Sequence, residues 1–365
     1  MKRLMIAALA LLLGAFVLVG CAQKTQAGAP DAPDASAASG APDATGATDA
    51  AIHVVTTLFP PYDFTRAIAG DKAEITMLLP PGAESHSFEP TPQDIIAIQD
   101  CDVFIYVGGE SDEWVDEVLS SLDTSHMRIV TLMDCVELVE EEIVEGMQDE
   151  EEGEDAHGEE ASDGDAHDDA DADAHGEEAD TDADAHGEEA EYDEHVWTSP
   201  RNAKLIVQKI SDALCDIDAA NAELYRTNTE AYLAQLDELD AEFRAVVGQA
   251  ARKTVVFGDR FPFRYFADAY GLDYYAAFPG CSTETEASAA TVAFLIDKVG
   301  DEGIPVVFHI ELSNAKIADT IAEQTGAEVL LFHACHNISQ SDFESGKTYL
   351  DLMRANVKAL EQALN

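Results

Sequence analysis

The chain has 365 residues, room for two ordinary domains, and 73 acidic against 20 basic side chains give it a formal net charge of −53. That balance argues against nucleic acid and against a polybasic membrane surface as partners. The charge is uneven: Glu140–Glu194 holds 28 of the acids, four histidines and no Lys or Arg.

Met1-Lys2-Arg3 precedes an apolar run, Leu4–Val19, that ends on Gly20-Cys21. A positive start, an apolar stretch short for a membrane span and a small residue before cysteine describe a secretory leader. Leu18-Val19-Gly20-Cys21 resembles a bacterial lipobox, so residues 1–21 are expected to be a lipoprotein signal peptide with Cys21 lipidated after cleavage. An ordinary secretory signal or a short membrane helix are the alternatives. Residues 22–51, rich in Ala, Pro, Asp, Gly, Ser and Thr, read as a disordered leash. Five further cysteines, 101, 135, 215, 281 and 335, are an odd number, so at least one is free or pairs between chains. Cys281 and Cys335 each follow a predicted strand in the same half and form the expected pair.

From residue 52 the pattern alternates. Strands are expected at Ile52–Leu58, Glu74–Leu79, Asp102–Val107 and Arg128–Met133. Helices are expected at Asp63–Ala69, after the Thr91 cap with Pro92 at the first position, and at Asp112–Leu122. Pro60 and Pro61 read as a stop to the first strand. Alternation of this kind predicts a parallel sheet with helices on its faces. The acidic tract 140–194 cannot pack a core against its own repulsion and reads as a solvated tether, disordered within the first lobe. Its histidines, His157, His167, His175 and His186, stand among carboxylates and are candidates for auxiliary metal capture.

Beyond the tether, Asn202–Ile217 has helical spacing. Asn221–Val247 has no Gly or Pro inside and predicts a second helix of about 40 Å at 1.5 Å per residue. That length suits a strut between lobes. Strands then follow at Thr254–Phe257, Leu272–Ala276, Pro305–His309 and Glu328–Phe332, with helices at Pro262–Ala269, Ala287–Val299, Ala315–Gln324 and Gly346–Leu364. The expected architecture is α/β, two four-strand lobes with a helix between them: residues 52–220, the connecting helix 221–250, and 251–365.

In open parallel sheets, ligands bind outside the carboxyl ends of the strands. His86 lies in the loop after the second strand, and His195 stands where the tether rejoins the fold. Asp259, His309 with Glu311, and His333 with His336 follow strands of the second half. Trp114 and Trp197 read as packing residues. Phe59, Tyr62 and Phe88 lie in strand-end loops that can wall a cleft.

Four stretches carry a resemblance. The loop Pro80–Asp94 holds Pro-Gly-x-x-x-His-x-x-Glu-Pro. The others are Asp193-Glu194-His195-Val196-Trp197-Thr198-Ser199-Pro200, Tyr265–Leu272, and Lys316–Ile321 ahead of Gly326. Together they resemble the zinc/manganese solute-binding proteins of bacterial ABC importers, and the likeness runs from Ile52 to the C-terminus. The resemblance implies two α/β lobes joined by a rigid long helix, with the metal in the inter-lobe cleft, and a His/acid-rich loop in zinc-specific members. It assigns His86 and His195 as ligands and puts His333 in the place of a family aspartate. In the place of a third family ligand stands Arg260, which cannot coordinate. Glu311 looks like the family's acidic residue and is the favoured fourth donor, with Asp259, His309 or a water as alternatives.

Three imidazoles and one oxygen suit tetrahedral Zn(II), whereas Mn(II) prefers more oxygen ligands. Because the ligands must be neutral, uptake is expected to weaken below about pH 6. The function implied is an extracytoplasmic, lipid-anchored receptor, a monomer, handing Zn(II) to an ABC permease and its ATPase. Mn(II) or Fe(II) capture is the alternative within the class, and a surface adhesin the alternative outside it. A metallohydrolase is disfavoured because the sequence has no His-Glu-x-x-His, Gly-x-Ser-x-Gly or P-loop pattern.

Overall fold

Alternate residues of the strands point to opposite faces, and in this chain both faces are apolar. Val54 and Val55 in the first strand are both buried, as are Val255 and Val256 in the fifth. The computed structural model describes residues 51–84, 88–147, 191–282 and 286–365. Cys21, the leash, His86 and the tether histidines His157, His167, His175 and His186 lie outside the described residues.

The first lobe contains β1 (Ile52–Thr56), α1 (Phe59–Ala69), β2 (Ala73–Met77), α2 (Pro92–Asp100), β3 (Val103–Tyr106), α3 (Glu113–Ser121) and β4 (Arg128–Thr131). Next come α4 (Pro200–Ile217) and the 28-residue α5 (Ala222–Gln249). The second lobe contains β5 (Thr254–Arg260), α6 (Arg264–Tyr270), β6 (Asp273–Phe278), α7 (Ala289–Glu302), β7 (Val306–His309), α8 (Lys316–Thr325), β8 (Glu328–Leu331), α9 (Gln340–Glu344) and α10 (Tyr349–Leu364). The strands form two parallel sheets ordered β2-β1-β3-β4 and β6-β5-β7-β8. The two-sheet α/β architecture expected from the alternation is therefore present.

Two details differ from expectation. The prolines after β1 start α1 instead of merely stopping the strand. They occupy its first turn, where the amide that proline lacks has no helical partner to lose. β5 runs past Phe257 to Arg260, with a register shift against β6, and so carries Asp259 and Arg260 to the sheet edge. Gly258 sits inside that extension because a Cβ there would lie 2.5 Å from the Ala318 backbone of α8.

The long helix is more deeply embedded than a strut. Tyr225, Thr229, Tyr232, Leu236, Leu239, Phe243 and Val247 recur every three or four residues and form its buried face. That face packs against α4, α1 and α10. One apolar cluster runs through it from Val54 and Val103 of the first sheet to Val255 and Phe308 of the second. The outer face of each sheet has its own smaller cluster, around Val55, Ile98 and Phe104 in one lobe and Val256, Leu295 and Val307 in the other. Further ties reinforce the junction: Tyr349 N–H donates to Asp63 at 2.8 Å, and Asn228 Nδ2 donates to Ile68 O at 2.9 Å.

The expected Cys281–Cys335 bridge is not formed, and all five described cysteines are free thiols. The two sulfurs face different groups. Cys281 lies among Glu141, Asp193 and Glu194, and Cys335 is enclosed near Glu311 and Asp63.

Candidate metal centre

The two ends of the tether meet as a short antiparallel pair that carries the chain to His195. Glu141 N–H donates to Glu191 O at 2.9 Å, and Asp193 N–H donates to Val139 O at 3.0 Å. The second lobe holds this pair in place. Tyr265 Oη donates to Asp193 O at 2.8 Å, Arg264 Nε lies 3.3 Å from Glu142, and Cys281 N–H donates to Glu141 Oε1 at 3.1 Å. His195 is thereby buried, 1% exposed, with its backbone N–H and its Nδ1 both on Asp193 Oδ1, at 2.7 and 3.0 Å. The hydrogen bond to a carboxylate assigns the ring proton to Nδ1 and the lone pair to Nε2, a tautomer in which Nε2 can coordinate a divalent cation. Burial alone would lower the pKa of His195. The carboxylates of Asp193, Glu194 and Glu141 outweigh it and raise the value.

The second imidazole is that of His336. Its ring centroid is 4.3 Å from that of His195, at an interplanar angle of 82°, and Trp197 packs edge-on against both. Trp197 behaves as the packing residue expected of it, with Nε1 donating to Ala334 O at 2.7 Å and its own carbonyl accepting from Tyr349 Oη. These rings line a cleft space of about 420 Å³ together with Thr57 and Leu58 after β1 and Val107 after β3. Strand order reverses between β2-β1 and β3-β4, so this is the switch point of the first sheet, where α/β folds place ligands. Phe88 lines it too, as expected of a wall residue. Phe59 is instead in the central core, and Tyr62 pairs with Phe343.

His333 does not share this pocket. The charged groups that face its ring are Asp342, Lys347 and His309, and burial pushes its pKa down to about 4. The two histidines are separated by the turn after β8, in which Cys335 adopts a left-handed φ of 62°. The turn is anchored from both sides. Asn356 exchanges hydrogen bonds with the His333 backbone at 2.7 and 2.8 Å. Glu311 accepts from Ala334 N–H at 2.7 Å with Oε2 and from His336 N–H at 2.9 Å with Oε1.

Glu311, the favoured fourth donor, thus has both oxygens committed to the backbone of the His336 turn. Burial pushes its pKa up to about 7 despite those two bonds. The alternatives are similarly engaged. Asp259 accepts from Arg260 N–H and Ile310 N–H, and His309 Nδ1 lies 3.0 Å from Ile310 O. Arg260 reaches across the cleft to Glu84 of the first lobe at 3.2 Å and donates to Ser282 O. Asn337 adds two bonds to the same first-lobe loop, to Pro80 O at 2.7 Å and Ala83 O at 2.9 Å. Among the described residues no three His, Cys, Asp or Glu side chains converge on one point.

Two acids beside the pocket escaped the sequence reading. Asp112 accepts from Val107 and Gly108 amides, and burial pushes its pKa up to about 6. Glu194 accepts from Ser111 N–H at 2.9 Å. Neither follows a strand directly, where ligand-bearing residues are expected in such sheets.

A family model described as ZnuA, zinc-uptake complex component A, periplasmic, matches residues 54–363. The chain belongs to this family. Among relatives, the high-affinity zinc uptake system protein ZnuA of Bacillus subtilis is 32% identical, over 86% of this chain and 88% of its own length. The zinc-binding lipoprotein AdcA of Streptococcus pneumoniae is 29% identical over 86% of this chain, which spans only 56% of that protein. The Zn(II)-bound ZnuA-like domain of AdcA superposes with a TM-score of 0.65 at 26% identity, covering 86% of this chain and 99% of that one. ZnuA-family members are zinc-transport components and not an enzyme family, in agreement with the importer resemblance.

Proposed function

We propose that this chain captures Zn(II) on the extracytoplasmic side and delivers it to an ABC import permease driven by a separate ATPase. The observation that carries the reading is the buried pair of imidazoles, His195 and His336, 4.3 Å apart between the lobes. In this reading both rings bind the ion, His86 supplies a third nitrogen from the first lobe, and Glu311 holds the His336 turn instead of coordinating. Three imidazoles with one open position form a tetrahedral set that suits Zn(II) better than Mn(II). Cys21 would carry a lipid that keeps the receptor at the membrane, and the chain would act as a monomer.

Titration of the metal-free protein with Zn(II) and with Mn(II), followed by calorimetry, tests the assignment. One tight Zn(II) site per chain is expected, with Mn(II) binding far more weakly. Tight Mn(II) binding beside weak Zn(II) binding would reject it. Incorporation of labelled palmitate, lost in Cys21→Ser, tests the anchor.

A further inference from the structure

The two strands at the root of the tether are not joined by backbone alone. Residues directly opposite at a hydrogen-bonded position of an antiparallel pair exchange two bonds, each N–H reaching the other's carbonyl. Val139 and Asp193 make the first of these, Asp193 N–H to Val139 O at 3.0 Å. The reciprocal path runs through a side chain of the second lobe. Val139 N–H donates to Tyr265 Oη at 3.3 Å, and Tyr265 Oη donates to Asp193 O at 2.8 Å. A single hydroxyl, on a residue of α6 that is 4% exposed, thus takes the place of the second backbone bond and carries both strands.

Asp193 in turn holds the His195 ring at Nδ1. The Tyr265 hydroxyl therefore fixes the peptide whose side chain fixes the imidazole. His195 meets the second lobe again at Gly280, where a Cβ would lie 3.2 Å from its Cε1. Although His195 follows the tether in sequence, its ring is placed by the lobe that also supplies His336. Tyr274 and Arg264, by contrast, touch the outgoing strand. Tyr274 Oη donates to Glu142 Oε2 at 3.2 Å, and Arg264 Nε lies 3.3 Å from the same oxygen.

We propose that Tyr265 is a positioning residue for the cargo: its hydroxyl clips both root strands to the second lobe and so holds Asp193 against Nδ1 of His195, leaving Nε2 for the ion. The inference rests on the reading that His195 binds Zn(II). Without the hydroxyl, Val139 N–H and Asp193 O are left facing each other with no partner between them. Buried backbone groups do not stay unpaired, so they draw together or take up water. Either response shifts the Asp193 peptide and loosens the imidazole that its side chain orients.

Two variants separate this role from general support of the root. Tyr265→Phe removes the hydroxyl and keeps the ring. Tyr274→Phe removes a hydroxyl from the same root without touching Asp193. The first readout is the ring-nitrogen resonances of His195 in metal-free protein carrying isotope-labelled histidine, in mildly alkaline buffer, assigned by their absence from His195→Gln. The parent and Tyr274→Phe should show one tautomer, protonated at Nδ1, and Tyr265→Phe a mixture. The second readout is calorimetric titration with Zn(II). Affinity should fall by roughly 10-fold in Tyr265→Phe, the low end for groups that orient a metal shell, and match the parent in Tyr274→Phe. A parent-like tautomer and affinity in Tyr265→Phe would overturn the assignment, and so would a mixed tautomer with undiminished affinity. Equal losses in the two variants would overturn it as well, because loosening of the root would then explain both. A parent that binds no Zn(II) would reject the cargo reading, while the ring resonances, read without metal, would still decide whether Tyr265 sets the His195 ring.

Discussion

The two sheets share one strand order, yet their cleft edges carry different chemistry. At the first switch point β1 and β3 deliver a threonine hydroxyl and backbone amides, with Asp112 and Glu194 alongside. At the second, β5 and β7 deliver Arg260 and Glu311, and the turn after β8 delivers His336. Topology fixes where a ligand can sit, and the residues just beyond each strand decide what it is. The second edge also reaches across to fasten the first, through Asn337 and Arg260.

The sharpest way to break this comparison is to separate the two histidines of the second edge. His336→Ala should weaken Zn(II) by more than about 100-fold, beyond what orienting groups alone contribute. His333→Ala should leave affinity within a few-fold of the parent. Calorimetric titration of both variants checks this, and the reverse ranking would return His333 to the metal.

His333 should instead show itself in acid stability. Its folded pKa, about 4, lies below the ordinary value of 6.5, so between those limits the unfolded chain binds the extra proton. Stability contributed by the neutral ring is present above pH 6.5 and lost as pH falls toward 4. At pH 4.5 the loss should be about 2 to 3 kcal/mol. Urea unfolding of the metal-free parent and of His333→Gln at pH 7 and 4.5 measures it as the difference between the two proteins, because the buried Asp112 and Glu311 carboxyls act in the opposite sense in both. His333→Gln should lose correspondingly less between the two pH values.

The bridge between the edges is a smaller effect. Glu84 is 42% exposed, whereas the Arg260 side chain is 9% exposed, so the pair lies between a surface bridge and a buried one. Glu84→Gln should destabilise by about 1 kcal/mol and make stability less sensitive to salt. The exchanged pair Glu84→Arg with Arg260→Glu should recover part of that loss if the contact is electrostatic. The smallest difference concerns a device the lobes share. Thr91 before α2 and Thr348 before α10 each form a reciprocal capping box, with Asp94 and Asp351. Alanine at either should cost about 1 kcal/mol, read from urea midpoints.

Much of this could be read directly from the chain. The eight strands, the long helix and His195 follow from apolar periodicity, caps and the tether's abrupt end. Glu311 was legible as important but not in its role, because a carboxylate that binds a cation and one that binds two amides look alike in sequence. His336 was visible beside His333, with nothing in the spacing to choose between them.

The sequence by itself determined element type and order, since those depend on local spacing and on the turn residues between elements. Only the tertiary structure decided which side chains meet. The turn through left-handed Cys335, held by Glu311 from the loop after β7, separates a histidine that lines the cleft, His336, from one that does not, His333. That choice is made by contacts between residues 23 and 25 positions apart.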